Sequence, residues 1–361
     1  MFNNKINSKL FFISLLTLSF SFSSFAQEVE EVVVTATKKE ESTQDIAISV
    51  EAFTSDMLDS EQIFDLSDLT EVVPGFGYGK GIGSGSSFQM RGIGSYGIGA
   101  AVVSSLVTNI NGHSVGTGQF VDLGFMDIER VEVLKGPQGT LNGRNSVQGV
   151  VNLITKRPTS EMGGYVDIES GNFDRTLIKG AINIPISDNI SSRVAFMSNQ
   201  RSGMVHNANT GNDYDDRNDT GIRLSIDWNL SDITDLKLTY SGQKSDDNRP
   251  QEEVSFCAQD QFFGCSPYSR GGMNQAADTR GHVAGLFGFY SLIDPGTIVN
   301  KYGPSLAGRF DTLYLDREPT HYQESEVTNL ELTHELNDDV QMIVKYTYST
   351  RDFHQMNDND G

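Results

Sequence analysis

The chain has 361 residues, a formal net charge of −21 and 37% hydrophobic residues. Such an acidic chain lacks the basic patches that nucleic-acid binding requires, which argues against nucleic acid as a partner. After the N-terminal region, no apolar run approaches the roughly 20 residues that a transmembrane helix needs. The composition leaves two classes, a soluble exported protein or an outer-membrane barrel whose strands hide their hydrophobicity in alternation.

The first segment has the three parts of a secretory signal peptide. Lys5 and Lys9 supply positive charge, Leu10 to Phe22 form an apolar region, and Ser24 to Ala26 supply the small residues of a cleavage site. A membrane anchor is the alternative, but the apolar run is short for a span. We therefore predict a cleaved signal peptide over residues 1–26 and export of the chain.

A β-branched run follows the cleavage site. It consists of Glu31, Val32, Val33, Val34, Thr35, Ala36 and Thr37. Such residues favour a strand, yet nothing adjacent in sequence offers a pairing partner. A short extended segment near a free terminus suits β-augmentation, in which it adds as a strand to another protein's sheet. The alternative is an ordinary first strand of the domain that follows.

Residues 46–160 combine short helical and strand signals. Ser67 to Thr70 predicts a helical turn, and Val73 to Gly75 ends it. The most informative stretch, Ile128 to Pro158, reads IERVEVLKGPQGTLNGRNSVQGVVNLITKRP. It breaks at Gly136-Pro137, passes through further glycines and returns to a β-branched run. Glycines at this density permit tight turns and close backbone contacts in a compact domain.

This stretch closely resembles the signature of the plug domain of TonB-dependent outer-membrane receptors, nearly residue by residue over about thirty positions. The resemblance extends upstream, with Asn111 where the family usually has Asp, and Asn tolerates turns equally well. The signature positions are Arg91, Gly92, Glu129, Arg130, Gly136, Pro137, Gly139, Gly143, Arg144 and Asn152. The resemblance implies that residues 27–45 hold the TonB box, Glu31 to Thr37, and a linker. The inner-membrane energy transducer TonB grips this box in the family.

From Gly163 onward the pattern has period two. In residues 221–230, apolar Ile222, Leu224 and Trp228 alternate with polar residues such as Arg223 and Ser225. One apolar face and one wet face are what a barrel strand requires, although a soluble sandwich also alternates. Residues 236–240 and 340–348 show similar alternation.

Connection lengths favour the barrel. Tight turns at 187–189, 230–234 and 337–339 alternate with long polar loops near 202–218 and 245–323, as in outer-membrane barrels. We predict a mixed α/β plug domain inside a transmembrane antiparallel β-barrel. Residues 161–361 would supply about seven of the roughly twenty-two strands that the family's barrels have, so we expect a fragment.

No catalytic constellation is evident, and we predict neither an enzyme nor a cofactor. Cys257 and Cys265 lie close in an exported chain, so we predict a disulfide; no His or further Cys at ligand spacing supports a metal site there. The acidic group between Asp213 and Asp219 could bind calcium, but such runs are more often a solvated loop face. Our prediction is therefore no metal.

The resemblance implies TonB-dependent active uptake of a scarce, bulky nutrient, by default a ferric siderophore. Saccharides, polyphenols, steroids and cobalamin stay open, while a passive porin or adhesin would need no plug signature. The implied partners are TonB, outer-membrane lipid and lipopolysaccharide, and the ligand, with the receptor a monomer. Candidate ligand contacts on the plug are Tyr78, Ser95 and Tyr96.

Charged residues could also hold the plug in its barrel. In the family, charged plug residues pair with charged residues of the lumen. The candidates here are Arg91, Glu129, Arg130 and Arg144, with Glu331 facing the lumen by alternation. The alternative is that these residues only solvate a wet interface.

Overall fold

The structure is a computed structural model. It describes residues 33–35, 41–42, 46, 48–80, 86–94, 105–115, 125–207, 210–248, 258–260, 264–266, 312–313 and 318–356. The described residues form two parts: a small mixed α/β domain whose last strand ends at Thr155, which we call the plug, and an antiparallel sheet that begins at Gly163, which we call the wall.

In the described residues the plug contains three short helices, a main sheet, a second sheet and the two-stranded pair β1-β2. The helices are Ser55–Ser60, Leu69–Val72 and Gly139–Asn142. The strands are β1 Val33–Val34, β2 Glu41–Ser42, β3 Val50–Thr54, β4 Phe76–Lys80, β5 Ser86–Met90, β6 Ile93–Gly94, β7 Leu106–Ile110, β8 His113–Ser114, β9 Ile128–Lys135 and β10 Gly149–Thr155. The main sheet has the order β3-β9-β10-β7-β8, in which only β7 and β10 run parallel, and β4, β5 and β6 form the second sheet. None of the helices in the described residues is long and apolar enough to cross a membrane.

The two faces of the main sheet differ because alternation separates their side chains. One face carries Val131, Val133 and Val151, which pack under the helices around Leu58 and Leu69 and form the main core. The other face carries Leu134 and Val150 beside buried polar groups. The predicted helical turn is confirmed at Leu69–Val72. Asp68 lies just before this helix, and burial raises the pKa of its carboxyl group. The N–H of Phe64 donates to the Asp68 carboxylate and acts in the opposite direction, lowering that pKa.

The Asn111-Gly112 pair forms the two-residue turn between β7 and β8. Both residues have positive φ, 52° and 74°, a conformation that Asn and Gly adopt at low cost. The Asn111 carboxamide oxygen also accepts the N–H of Thr155 at 3.0 Å. The turn therefore forms with Asn in place of the family's usual Asp.

The wall has seven antiparallel strands, as the sequence predicts. They are β11 Gly163–Gly171, β12 Arg175–Ser187, β13 Ile190–Arg201, β16 Arg217–Ser231, β17 Thr234–Asp247, β21 Thr320–Asn337 and β22 Val340–Met356. The predicted tight turns after β12, β16 and β21 are confirmed. The long connections carry β14 Val205–Asn207, β15 Asp213–Tyr214, β18 Ala258–Asp260, β19 Gly264–Ser266 and β20 Thr312–Leu313.

The wall buries its polar face. On β16, Ile222 and Trp228 are 49% and 42% exposed, whereas Arg223 and Ser225 on the opposite face are 5% and 1% exposed. A soluble sandwich would bury the apolar face instead. An apolar exterior and a polar interior are the arrangement of a membrane barrel, so the barrel interpretation is confirmed.

The plug packs against the inward face of the wall. Val327 of β21 belongs to the main core of the plug. Met126, just before β9, packs on Leu177, Ala195 and Met197, which point inward from β12 and β13. Two apolar clusters therefore join the plug to the wall.

Candidate functional site

Strand β1, Val33–Val34, packs on the main sheet of the plug. Val33 and Val34 pair antiparallel with Ser42 and Glu41. The expectation that no nearby segment pairs with this run is therefore wrong. Glu41 and Ser42 lack the β-branched signal that marks a strand, so the sequence pattern could not reveal them. The remaining predicted box residues, Glu31, Val32, Ala36 and Thr37, lie outside the described residues.

Two successive residues of this segment contact the plug's second face. The Val34 side chain is fully buried against Val107, Leu134 and Val150. The backbone N–H of Thr35 donates to the Glu132 carboxylate at 2.9 Å, and the Thr35 hydroxyl donates to the same oxygen at 3.2 Å. An apolar contact and a polar contact thus hold the segment side by side.

Glu132 belongs to a buried polar row that crosses three neighbouring strands. Its carboxylate also accepts from Arg130 Nε at 3.0 Å and from Asn152 Nδ2 at 3.2 Å. Asn109 Nδ2 then donates to Asn152 Oδ1 at 2.9 Å and to Asn142 Oδ1 at 3.2 Å. The row follows the register of the sheet, in which Asn152 lies opposite both Glu132 and Asn109.

Most other signature positions shape turns. Arg91 and Gly92, both exposed and with φ of 52° and 77°, form the two-residue turn between β5 and β6. Gly136, with φ of 98°, follows β9 and donates its N–H to the carbonyl of Gln148. Gly143 ends the helix that begins at Gly139, with φ of 73°. Pro137 lies exposed between β9 and this helix.

A buried ion pair joins the plug to the wall. Arg193 of β13 donates from Nε and Nη2 to the two carboxylate oxygens of Asp127, at 2.7 and 2.6 Å. Asp127 also accepts from the Tyr165 hydroxyl at 3.2 Å. Arg223 of β16 donates to the carbonyl of Met126 at 2.6 Å. The segment entering β9 is therefore fixed by three different wall strands.

A second contact fixes the segment leaving β10. Arg157 forms an ion pair with Asp227 and donates to the Thr239 hydroxyl at 3.2 Å. Burial lowers the pKa of the Arg157 guanidinium, and the negative charges of Glu331 and Glu129 oppose that shift. Since Lys156 N–H donates to the Asp127 carbonyl at 3.1 Å, the two contacts are joined to each other.

Glu331 faces the lumen, as the alternation predicts. Its carboxylate lies 2.7 Å from Lys345 Nζ, 3.7 Å from Lys237 Nζ and 3.9 Å from Nε2 of His113 in the plug. The Nδ1 atom of His113 lies 2.9 Å from the Thr347 hydroxyl. The β7–β8 turn of the plug is thus seated on the last two wall strands.

Charged pairs between the plug and the wall exist, as predicted, but the plug residues that were expected to form them are wrong. Arg130 pairs with Glu129 and Glu132 inside the plug. Arg91 and Arg144 are exposed, and no ion pair joins them to the wall within the described residues. The pairs to the wall in the described residues include Arg193–Asp127, Arg157–Asp227 and Lys179–Asp59. Alternation placed the wall residues inward, but no periodic pattern connects residues so far apart in sequence.

The other predicted positions are placed only in part. Tyr78 packs its ring 5.4 Å from that of Phe88, while Ser95 and Tyr96 lie outside the described residues. Cys265 lies in β19 opposite Gln259, but Cys257 lies outside the described residues, so the disulfide stays a prediction. In the acidic loop, Asp215 is paired with Arg201 at 2.8 Å and Arg217 at 2.7 Å, which neutralises part of its charge.

Comparison with known sequences agrees with this geometry. The profile of the TonB-dependent receptor plug domain matches residues 42–150. The iron-regulated outer membrane virulence protein of Vibrio cholerae is 28% identical over 290 residues, covering 74% of this chain and 42% of that protein. The vitamin B12 transporter BtuB of Vibrio vulnificus is 32% identical over 163 residues, covering 44% of this chain and 26% of that protein. The chain spans less than half the length of these curated relatives.

Solved structures share the fold. The ferric yersiniabactin uptake receptor FyuA of Yersinia pestis superposes with a TM-score of 0.64 at 16% identity, over 85% of this chain and 41% of that one. The ferripyoverdine receptor of Pseudomonas aeruginosa gives a TM-score of 0.64 at 16% identity, over 91% and 38%. Residues 42–150 therefore carry the plug domain of TonB-dependent receptors, and the chain as described is similar in sequence and fold to outer-membrane receptors of that kind.

Proposed function

We propose that this protein takes up a scarce, bulky nutrient across the outer membrane, driven by TonB. The observation that carries the proposal is the docked segment Val33–Thr35, a β-branched segment that pairs with β2 over two residues and contacts Glu132. A short strand of this kind can exchange its internal partner for a strand of another protein, which is how β-augmentation works. We therefore assign Glu31 to Thr37 as the TonB box.

The remaining parts take their roles from this assignment. Residues 46–160 form the plug that closes the channel, and residues 161–361 contribute barrel strands whose apolar face contacts outer-membrane lipid and lipopolysaccharide. Ligand would contact the plug near Tyr78, Ser95 and Tyr96. TonB, powered from the inner membrane, would pull on the box and rearrange the plug, while the Arg193–Asp127 and Arg157–Asp227 pairs keep its exit segments on the wall.

A ferric siderophore is the cargo that we propose. The support is the likeness to the iron-regulated protein of Vibrio cholerae and to the ferric-pyoverdine receptor of Pseudomonas putida, which is 26% identical over 209 residues. The likeness to the vitamin B12 transporter of Vibrio vulnificus makes cobalamin the second candidate. Uptake of ferric pyoverdine and of labelled cobalamin by cells that produce the protein would separate the two.

The replacement Val33→Pro tests the function. Proline removes the N–H of residue 33 and fixes its φ, so the segment can no longer pair as a strand with TonB. We expect uptake of the transported probe to fall to the level of cells without TonB, while binding of the probe to intact cells persists. The matched variant Val33→Ile keeps the N–H and should transport normally. Normal uptake by the proline variant would contradict the proposal.

A further inference from the structure

We propose that Glu132 is the docking residue that holds the TonB box closed against the plug, an inference that rests on the proposed role of Val33–Thr35 as part of that box. Glu132 lies 97 residues away from Thr35 in sequence, yet its carboxylate receives both the N–H and the hydroxyl of Thr35. In the described residues β1 pairs with β2 and not with β9, the strand that carries Glu132, so side-chain contacts bring Thr35 and Glu132 together.

Because Glu132 is buried, loss of its contact with Thr35 carries a large free-energy cost. Its side chain is 0% exposed when the segment is docked. Thr35 supplies donors to this carboxylate alongside Arg130 and Asn152. Hydrogen bonds to a charged acceptor are stronger than neutral ones, and a buried charge that loses its donors must be solvated again. When the box leaves the plug, water must therefore reach the Glu132 carboxylate on this face of the sheet.

The arrangement also explains why this segment fits this face. Leu134, Val150 and Val107 form an apolar row across three strands, and Glu132, Asn152 and Asn109 form a polar row two residues away. Val34 covers the apolar row and Thr35 covers the acidic end of the polar row. A branched apolar residue followed by a hydroxyl residue thus matches two adjacent rows of the sheet.

The polar row extends the contact into the plug. Asn152 orients the Glu132 carboxylate and itself accepts from Asn109, which also binds Asn142 in the helix Gly139–Asn142. Movement of that helix would therefore alter the donors that position Glu132. Asn152 and Asn109 act as positioning residues, since neither contacts Thr35 in the structure.

Cysteine protection measures docking directly. Val34→Cys is introduced together with Cys257→Ser and Cys265→Ser, and outer membranes lacking TonB and ligand are treated with an impermeant maleimide. The buried Cys at position 34 should react slowly in this parent. We expect Glu132→Gln and Thr35→Val to raise the rate about tenfold, since each removes part of a charge-assisted contact. Thr35→Ser keeps the hydroxyl and should leave the rate unchanged.

Two further variants distinguish loss of the contact between Thr35 and Glu132 from a general disturbance of the sheet. Glu51→Gln removes another carboxylate of the same sheet, one that pairs with Lys135, and should leave the labelling rate unchanged. The double variant Glu132→Gln with Thr35→Val should label more slowly than the product of the two single effects predicts, because both changes act on one contact. An unchanged rate in Glu132→Gln, or additive effects in the double variant, would overturn the proposal. Because TonB is absent, either result is independent of the uptake test with Val33→Pro.

Discussion

Arg193 of the barrel and Asp127 of the plug form a two-point ion pair, with contacts of 2.7 and 2.6 Å and side chains that are 7% and 2% exposed. Asp127 also has a positive φ of 51°, a left-handed backbone conformation that is uncommon for residues other than glycine. The pair fixes the chain just before the strand that carries Glu132.

Breaking this pair should loosen the plug. Asp127→Asn leaves the Arg193 charge buried with a weaker partner, and loss of one member of a buried pair costs about 3–5 kcal/mol. We expect a lower midpoint of denaturant unfolding in detergent and greater entry of large antibiotics into cells. Asp127→Asn combined with Arg193→Met removes the unpaired charge and should recover part of the loss.

A matched control uses an exposed pair on the same interface. Lys179 lies 3.5 Å from Asp59, whose side chain is 68% exposed. Asp59→Asn should therefore cost less than about 1 kcal/mol. Equal losses for Asp59→Asn and Asp127→Asn would show that burial of the Arg193 pair has no special weight.

The apolar exterior predicts how the barrel tolerates charge. Leu224 points outward between Val194 and Tyr240 and is 38% exposed. Leu224→Arg should destabilise the folded barrel by about 2–4 kcal/mol, because the charge would face lipid. Thr220→Arg, on the same strand and face but in line with Lys244, should have little effect. Unfolding from lipid vesicles measures both, and equal tolerance would contradict the lipid-facing assignment.

Gly149 permits the close pairing of β9 and β10. A Cβ atom at this position would lie 2.2 Å from the carbonyl oxygen of Leu134. Gly149→Ala must push the strands apart, and we expect a loss of about 1–3 kcal/mol in denaturant unfolding. Gly139→Ala meets nothing within 4 Å and should be neutral or stabilising, as Ala favours a helix. The reverse order of the two variants would contradict this account.

Local sequence patterns predicted much of the fold. The alternation around Ile222 and Arg223 predicted wall strands, and the short turn at 187–189 predicted where two of them join. Period two cannot say which face is buried, because the same alternation suits a sandwich and a barrel. The burial of Arg223 against the plug, with Ile222 left exposed on the other face, settles this.

The site was less predictable because its contacts are distant in sequence. The β-branched signal identified Val33 and Val34, but their partners Glu41 and Ser42 are not typical strand residues. Glu132 fits its strand as an ordinary alternate position, and nothing in the signature indicates Thr35 as its donor. The polar plug residues that contact the wall, such as Asp127, follow from three-dimensional packing and not from the spacing of motifs.

The apolar residues on the outward face of β22 indicate the thickness of the bilayer that the barrel fits. Val340, Met342, Val344, Tyr346 and Tyr348 are all exposed, whereas Thr350 and Asp352 continue the same face in polar form. Eight residue steps span about 26 Å of strand, or about 20 Å of height at a tilt of roughly 40°. This height suits a thin bilayer, and a thicker one would impose hydrophobic mismatch on the polar residues above Tyr348.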